Sequence, residues 1–153
     1  MILPAHGYDS TPLGRLHGPD PVTMDEMLRR VAERYPDRTA VVEGDRRMTW
    51  GEVDERARGL AALLLDAGME KGDRVGCLLR KTPEMVVAFL AAIRAGGVFF
   101  PLDPNLPPDV LATVVRLFSP SAVLVDAAHL DLYLASGRAT RAVRTVVIGE
   151  HPA

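Results

Sequence analysis

The sequence predicts an α/β protein with a doubly wound, mostly parallel sheet flanked by helices, a short N-terminal hairpin and an extended arm. Short apolar strands alternate with amphipathic helices along the chain, and this alternation indicates right-handed crossovers between parallel strands. The strand expected at residues 74–79 is almost continuously apolar, as in a sheet that helices cover on both faces. These two observations determine the predicted fold class.

The first 22 residues differ in composition from the rest of the chain. They contain four prolines and three glycines, so they cannot hold a helix and offer few side chains to a core. We therefore expect an extended N-terminal arm at residues 1–22 and a single α/β domain at residues 23–153.

Start and stop signals define the first elements of this domain. A capping box at Thr23 opens a helix, and Pro36 ends its run of apolar residues. Two β-rich stretches, residues 39–43 and 47–50, flank a Gly-Asp turn and are typical of a hairpin.

Two longer helices follow, each with a stripe of residues that we expect to be buried. The first opens at the capping box of Thr49 and Glu52 and ends at Gly68, which supplies a left-handed stop. The second starts at Pro83 and ends at Gly96. The predicted stripes are Val53, Ala57, Leu60, Leu64 and Ala67 in the first helix, and Met85, Val86, Phe89, Leu90 and Ile93 in the second.

The alternation of strand and helix continues along the rest of the chain. Pro107, Pro108 and Asp109 mark another helix start, because proline fits the first turn and an acid faces the positive end of the helix dipole. The remaining predicted elements are strands at 98–102, 122–125 and 144–148 and helices at 107–118 and 127–135.

Composition excludes several classes of function. With 18 basic and 20 acidic residues the net charge is −2, so we expect no nucleic-acid partner, which would require a basic face. No apolar run approaches the roughly 20 residues of a membrane span, and no signal peptide is recognisable, so we expect a cytoplasmic protein. Cys77, the single cysteine, lies in an apolar run and is expected to be a buried core residue.

No residue pattern predicts a reactive site. The four histidines are not spaced as metal ligands. The glycine pair at Gly96 follows a helix and precedes a strand, the reverse of a phosphate-binding loop. Ser119 lacks the surroundings of an esterase nucleophile, and an N-cap acid beside a surface residue explains Asp126 and His129. We therefore assign no catalytic, cofactor-binding or metal residue.

Two segments carry a more specific pattern: residues 48–53, Met-Thr-Trp-Gly-Glu-Val, and residues 93–103, Ile-Arg-Ala-Gly-Gly-Val-Phe-Phe-Pro-Leu-Asp. They resemble the first two signatures of the adenylate-forming enzymes, which are Leu-Thr/Ser-Tyr-x-Glu-Leu and Leu-Lys-Ala-Gly-x-Ala-Tyr-x-Pro-Leu-Asp. Residues 35–40, 71–75 and 83–90 also resemble that family and follow its order. The departures keep size or charge class: they are Met48, Trp50, Val53, Ile93 and Arg94.

The resemblance implies an activity for a complete enzyme. In this family of acyl-CoA and aryl-CoA synthetases, luciferases and peptide-synthetase adenylation domains, a carboxylic acid attacks Mg-ATP to give an acyl-adenylate and pyrophosphate. CoA or the pantetheine of a carrier protein then accepts the acyl group. Four further motifs of the family lie later in its sequences, beyond the position that corresponds to Ala153. They are the phosphate loop, the adenine segment, the ribose-binding segment and the catalytic lysine. We therefore expect an N-terminal subdomain of an acid–thiol ligase that is inactive alone and works with the remainder of the enzyme, in the same or a separate chain.

Three alternatives remain open from the sequence. The parent enzyme could be an amino-acid adenylation domain of a peptide synthetase rather than an acyl-CoA or aryl-CoA ligase. The chain could also be a non-catalytic truncated or split module that binds a partner chain through an exposed face. A flavodoxin-like or receiver-like domain has a similar periodicity, but the strand at residues 39–43 does not end in the acidic pair of a receiver.

Overall fold

The computed structural model describes residues 23–136 and 144–148, in which helices and strands alternate as the sequence predicts. The arm predicted at residues 1–22 lies outside the described residues. The helices are α1 (Met24–Arg34), α2 (Trp50–Asp66), α3 (Pro83–Arg94), α4 (Pro108–Phe118) and α5 (Leu130–Ala135), which a 3₁₀ turn (Ala127–His129) precedes. The strands are β1 (Thr39–Glu43), β2 (Arg46–Thr49), β3 (Arg74–Leu78), β4 (Val98–Pro101), β5 (Ala122–Asp126) and β6 (Arg144–Ile148).

The strands form a small hairpin and a four-stranded sheet. Strands β1 and β2 pair antiparallel, and the larger sheet has the order β4-β3-β5-β6 with every neighbouring pair parallel. From β3 the chain crosses to β4 at one edge and then returns across β3 to reach β5 and β6. The sheet is therefore doubly wound, and the predicted fold class is confirmed.

Two apolar clusters form on opposite faces of the sheet, because alternate residues of a strand point to opposite sides. On one face α2 and α3 pack against Val75, Cys77 and Leu124. On the other face α4 and α5 pack against Val123 and Val125. Burial raises the pKa of the Cys77 thiol to about 12, so this residue is a core thiol as predicted.

The buried faces of α2 and α3 differ from the predicted stripes. In α2, Ala61 is buried while Leu60 is only partly covered. In α3 the fully buried residues include three alanines, whereas the larger Met85, Phe89 and Ile93 are only partly covered. The buried set of α3 is Pro83, Val87, Ala88, Leu90, Ala91 and Ala92. Small residues on both helices let their backbones approach closely, and this close packing outweighs the burial of larger side chains.

Helix ends follow the predicted signals, with differences at α1 and at α3, where the Thr82 hydroxyl expected to cap the helix makes no side-chain capping hydrogen bond. Both hydrogen bonds of the Thr49–Glu52 capping box are present at the start of α2. At α1 the Thr23 hydroxyl accepts from the Glu26 backbone N–H, but the Glu26 carboxylate pairs with Arg30 instead of completing the box. An ion pair one turn along the helix thus replaces the second bond.

The turn between α3 and β4 requires glycine. Gly96 has a φ of +79°, in the left-handed region, and its carbonyl accepts a hydrogen bond of 2.8 Å from the Gly72 N–H. This bond joins the turn after α3 to the turn before β3. Gly96 therefore ends the helix, as predicted, and also positions the neighbouring loop.

None of the helices in the described ranges has the length and apolar character that a membrane-spanning segment requires.

Candidate functional site

The fold places a crevice at the carboxyl ends of β3 and β5. These strands are neighbours, but the chain leaves β3 toward the face of α3 and leaves β5 toward the face of α5. Ligands of doubly wound sheets bind at such a switch point. A cleft of about 710 Å³ lies there, lined by α2, the ends of β3 and β5, the start of α3 and β6. We call it the switch-point cleft.

Asp126 at the end of β5 joins the two sides of the switch point. Its Oδ2 accepts a 3.1 Å hydrogen bond from the Arg80 backbone N–H and lies 3.6 Å from Arg80 Nε. Its Oδ1 accepts a 3.0 Å bond from the His129 backbone N–H and lies 2.6 Å from His129 Nδ1. Partial burial alone would raise the pKa of Asp126, but these hydrogen bonds lower it below the ordinary value. The carboxylate is thus an N-cap, as predicted, and its oxygens are already engaged.

Arg46 holds the hairpin against the start of α3 at the cleft wall. Its guanidinium bonds the Glu43 carboxylate at 2.9 Å and also the Glu84 carboxylate. The hydrogen bond to Glu84 raises the pKa of Arg46. Burial would raise the pKa of Glu84, but the bond from Arg46 lowers it. Because both partners belong to this domain, Arg46 serves the structure rather than an incoming anion.

The described residues do not fit Mg-ATP. Within residues 23–136 and 144–148, no three His, Cys, Asp or Glu side chains come together as metal ligands. Two arginines of the cleft, Arg46 and Arg80, already pair with carboxylates of the same domain. Phosphoryl transfer needs preorganised donors or metal at the reacting phosphorus. We therefore derive no reaction step from these side chains, and the assignment of no catalytic residue stays a prediction.

Arg94 in the second signature segment has a role that the sequence did not predict. Its Nε lies 2.6 Å from Asp25 Oδ1, and its Nη2 lies 2.7 Å from Asp54 Oδ1. Its Nη1 also donates to the Asp54 carbonyl at 3.2 Å. Burial lowers its pKa, but the bonds to the two carboxylates more than offset this and raise it. The one feature of the sequence that could have indicated these ion pairs is the position of a charged residue in a mostly apolar helix.

Ser119, which was considered as a nucleophile, and Asp103, the last residue of the second signature segment, both stabilise local backbone structure. Ser119 ends α4 in the left-handed conformation, with φ 44°, and its hydroxyl donates to the Arg116 carbonyl. It is thus a helix cap rather than a nucleophile. Asp103 accepts from the Asn105 backbone N–H at 2.9 Å and shapes the loop after β4.

Comparison with known sequences decides the family. The sequence model of the AMP-binding enzyme family matches residues 28–152, which include both signature segments. The chain belongs to the AMP-binding enzyme family. The resemblance to an N-terminal part of an adenylate-forming enzyme is thereby confirmed.

Individual relatives of this AMP-binding family member agree with the match. Tyrocidine synthase 2 from Brevibacillus parabrevis is 37% identical over 128 residues, which are 84% of this chain and 4% of that protein. A crystal structure described as a long-chain-fatty-acid CoA ligase from Rhodopseudomonas palustris superposes with a TM-score of 0.78 and 29% identity, covering 86% of this chain and 34% of that one. The crystal structure of an anthranilate CoA ligase in complex with anthranoyl-AMP superposes with a TM-score of 0.76 and 25% identity. The match covers 84% of this chain and 25% of that one. The chain therefore spans about a third or less of these relatives.

Proposed function

We propose that this domain is the N-terminal subdomain of an enzyme that activates a carboxylic acid with ATP and transfers it to a thiol. The observation that carries the proposal is the family match over residues 28–152, together with the superposition on a CoA ligase with a TM-score of 0.78. The complete enzyme would use Mg-ATP, form an acyl-adenylate and pyrophosphate, and pass the acyl group to CoA or a carrier-protein pantetheine. A cytoplasmic location, expected from the sequence, is part of this proposal.

The role of this domain within such an enzyme is structural. Asp126 and Arg46 at the switch point already pair within the domain, whereas Arg56 has no carboxylate within ion-pair distance among the described residues. A single arginine is not the set of preorganised donors that charge at a transferring phosphorus needs, so we expect most of those donors outside the described residues. We expect the isolated chain to catalyse no adenylation.

A second candidate is an amino-acid adenylation domain of a peptide synthetase. The observation that favours it is the 37% identity to tyrocidine synthase 2 over 84% of this chain. In that case the acid would be an amino acid and the acceptor a carrier protein. Both candidates share the adenylation step and differ in the acid and the thiol.

Acid-dependent ATP–pyrophosphate exchange by the polypeptide that the complete gene encodes tests the proposal. We expect exchange with at least one member of a panel of fatty, aromatic and amino acids, because adenylation is reversible. Preference for an amino acid would select the peptide-synthetase candidate, and preference for a fatty or aromatic acid would select the CoA-ligase candidate. A folded polypeptide that exchanges with none of them would contradict both and favour a non-catalytic module.

A further inference from the structure

Helix α4 carries several large apolar side chains on its outer face. Leu117 is 75% exposed, Phe118 43% and Val110 40%, whereas Leu111 and Val115 on the inner face are buried. Single exposed apolar residues are common on protein surfaces, but a group of them on one helix indicates an interaction surface. Val110 and Leu117 are seven residues apart, so they lie two turns apart on the same side of the helix. We call Val110, Leu117 and Phe118 the α4 stripe.

Two opposite charges flank the α4 stripe, one at each end of the helix. Asp109 lies in the first turn of α4 and Arg116 in the last turn, and both are exposed. They too are seven residues apart, so they lie along the same edge of the stripe. Within residues 23–136 and 144–148, neither lies within ion-pair distance of an opposite charge. Both charges are therefore available to a partner.

The pattern of apolar and charged residues on α4 is complementary to its own reverse. When two copies of α4 pack antiparallel about a two-fold axis that passes near Thr113, Val110 of each copy meets Leu117 of the other. The same rotation brings Asp109 of each copy beside Arg116 of the other, which gives two ion pairs of opposite charge. A two-fold interface requires a self-complementary surface of this kind.

We propose that a second copy of this chain docks on the α4 stripe, with the two α4 helices antiparallel. The apolar contacts supply the free energy of association, whereas exposed ion pairs contribute little and mainly fix the orientation. A contact built on one short helix per copy lies at or below the lower end of the roughly 1,200–2,000 Å² that stable complexes bury, so the dimer is weak. The proposal involves neither acid nor nucleotide and is independent of the proposed function.

Sedimentation equilibrium of the purified 153-residue chain tests the proposal. We expect the mean mass to rise from 16.6 kDa toward twice that value as the concentration increases to about 1 mM. Leu117→Glu places two carboxylates in the apolar contact and should raise the dissociation constant at least about tenfold. Leu63→Glu is the matched control, because Leu63 is 59% exposed on α2, which packs on the opposite face of the sheet. This control should leave the dissociation constant unchanged.

Exchanging the charges tests the antiparallel arrangement itself. Asp109→Arg places two arginines side by side across the interface, and Arg116→Asp places two aspartates there, so each variant alone should associate several-fold more weakly. An equimolar mixture of the two variants again pairs opposite charges and should associate as strongly as the unsubstituted chain. A loss that arises within one molecule, at a helix end, is not restored by mixing. Circular dichroism checks that each variant is folded, and the Leu117 and Leu63 variants decide the test if a charge variant is not.

Other outcomes overturn the proposal. These are a chain that stays monomeric over this concentration range, equal weakening by Leu63→Glu and Leu117→Glu, growth of the mass beyond that of a dimer, or a mixture of folded charge variants that associates no better than its components. Each of these would reject the α4 contact and leave the proposed function standing, because pyrophosphate exchange is measured separately.

Discussion

The two signature segments match the same family but stabilise the domain in different ways. The polar side chains of residues 48–53 act locally, because Thr49 and Glu52 exchange hydrogen bonds across three positions at an exposed helix start. Residues 93–103 act over long distances, because Arg94 reaches Asp25 and Asp54, 69 and 40 positions away. The first segment secures one helix, and the second holds three helices together. Mutations in the second should therefore cost more.

Replacing Arg94 with methionine should have the largest effect. The change leaves two partly buried carboxylates without their cation, and we expect a loss of about 2–3 kcal/mol in the free energy of unfolding. Urea denaturation measures it. Arg94→Lys is the matched control, since it keeps the charge and should lose clearly less. A loss below about 0.5 kcal/mol for Arg94→Met would show that the three-helix connection is unimportant.

A substitution at Gly96, in the turn after α3, should cause the next largest loss of stability. An alanine at this position must adopt a left-handed φ of +79°, at a cost of about 1–2 kcal/mol. Gly59 in α2 provides the control, because a Cβ there meets no atom within 4 Å. Gly59→Ala should raise stability by about 0.5–1 kcal/mol. Thermal unfolding of both variants should shift in opposite directions, and a shift in the same direction would contradict this account of the turn.

The local capping box should contribute less than either feature of the second segment. Thr49→Ala removes the hydroxyl that accepts from the Glu52 N–H, and we expect a loss of about 1 kcal/mol. Thr82 is also an N-cap residue, but its side chain makes no capping hydrogen bond. Thr82→Ala should therefore lower the free energy of unfolding by only a few tenths of the loss expected for Thr49→Ala. Equal losses of the two variants in urea denaturation would argue against the capping bond.

The smallest effect is a dependence of stability on pH at Glu52. The hydrogen bond from the Thr49 backbone N–H lowers the pKa of Glu52 below its ordinary value. The ionised Glu52 carboxylate therefore contributes fully to the free energy of unfolding above its unfolded-state pKa. This contribution is lost as pH falls through the lower folded-state pKa. Urea midpoints between pH 7 and pH 3 should fall less for Glu52→Gln than for the unsubstituted protein. Identical acid dependence would exclude this contribution.

The same contrast explains which features the sequence predicts. A capping box or a left-handed glycine stop is visible within a few residues, so the helix boundaries at Thr49 and Gly96 follow from the sequence. The parallel sheet follows from the alternation of short apolar strands and helices. These features depend on neighbours along the chain.

Features that depend on tertiary neighbours were not predictable in the same way. Nothing local to Arg94 reveals that its partners are Asp25 and Asp54. The buried face of α3 was predicted wrongly in part, because the helix is apolar on every side and close contact with α2 selects its alanines over Met85 and Phe89. The switch-point cleft likewise arises only when β3, β5, β6 and α2 come together.

We propose above all that this domain belongs to an adenylating enzyme, and we expect none of that enzyme's reactive groups among its residues; this is the central claim. Acid-dependent ATP–pyrophosphate exchange by the purified, folded 153-residue chain tests that claim most directly. We expect a rate equal to the background without protein for every acid in the panel. Exchange above background that depends on both the chain and the acid would contradict the claim.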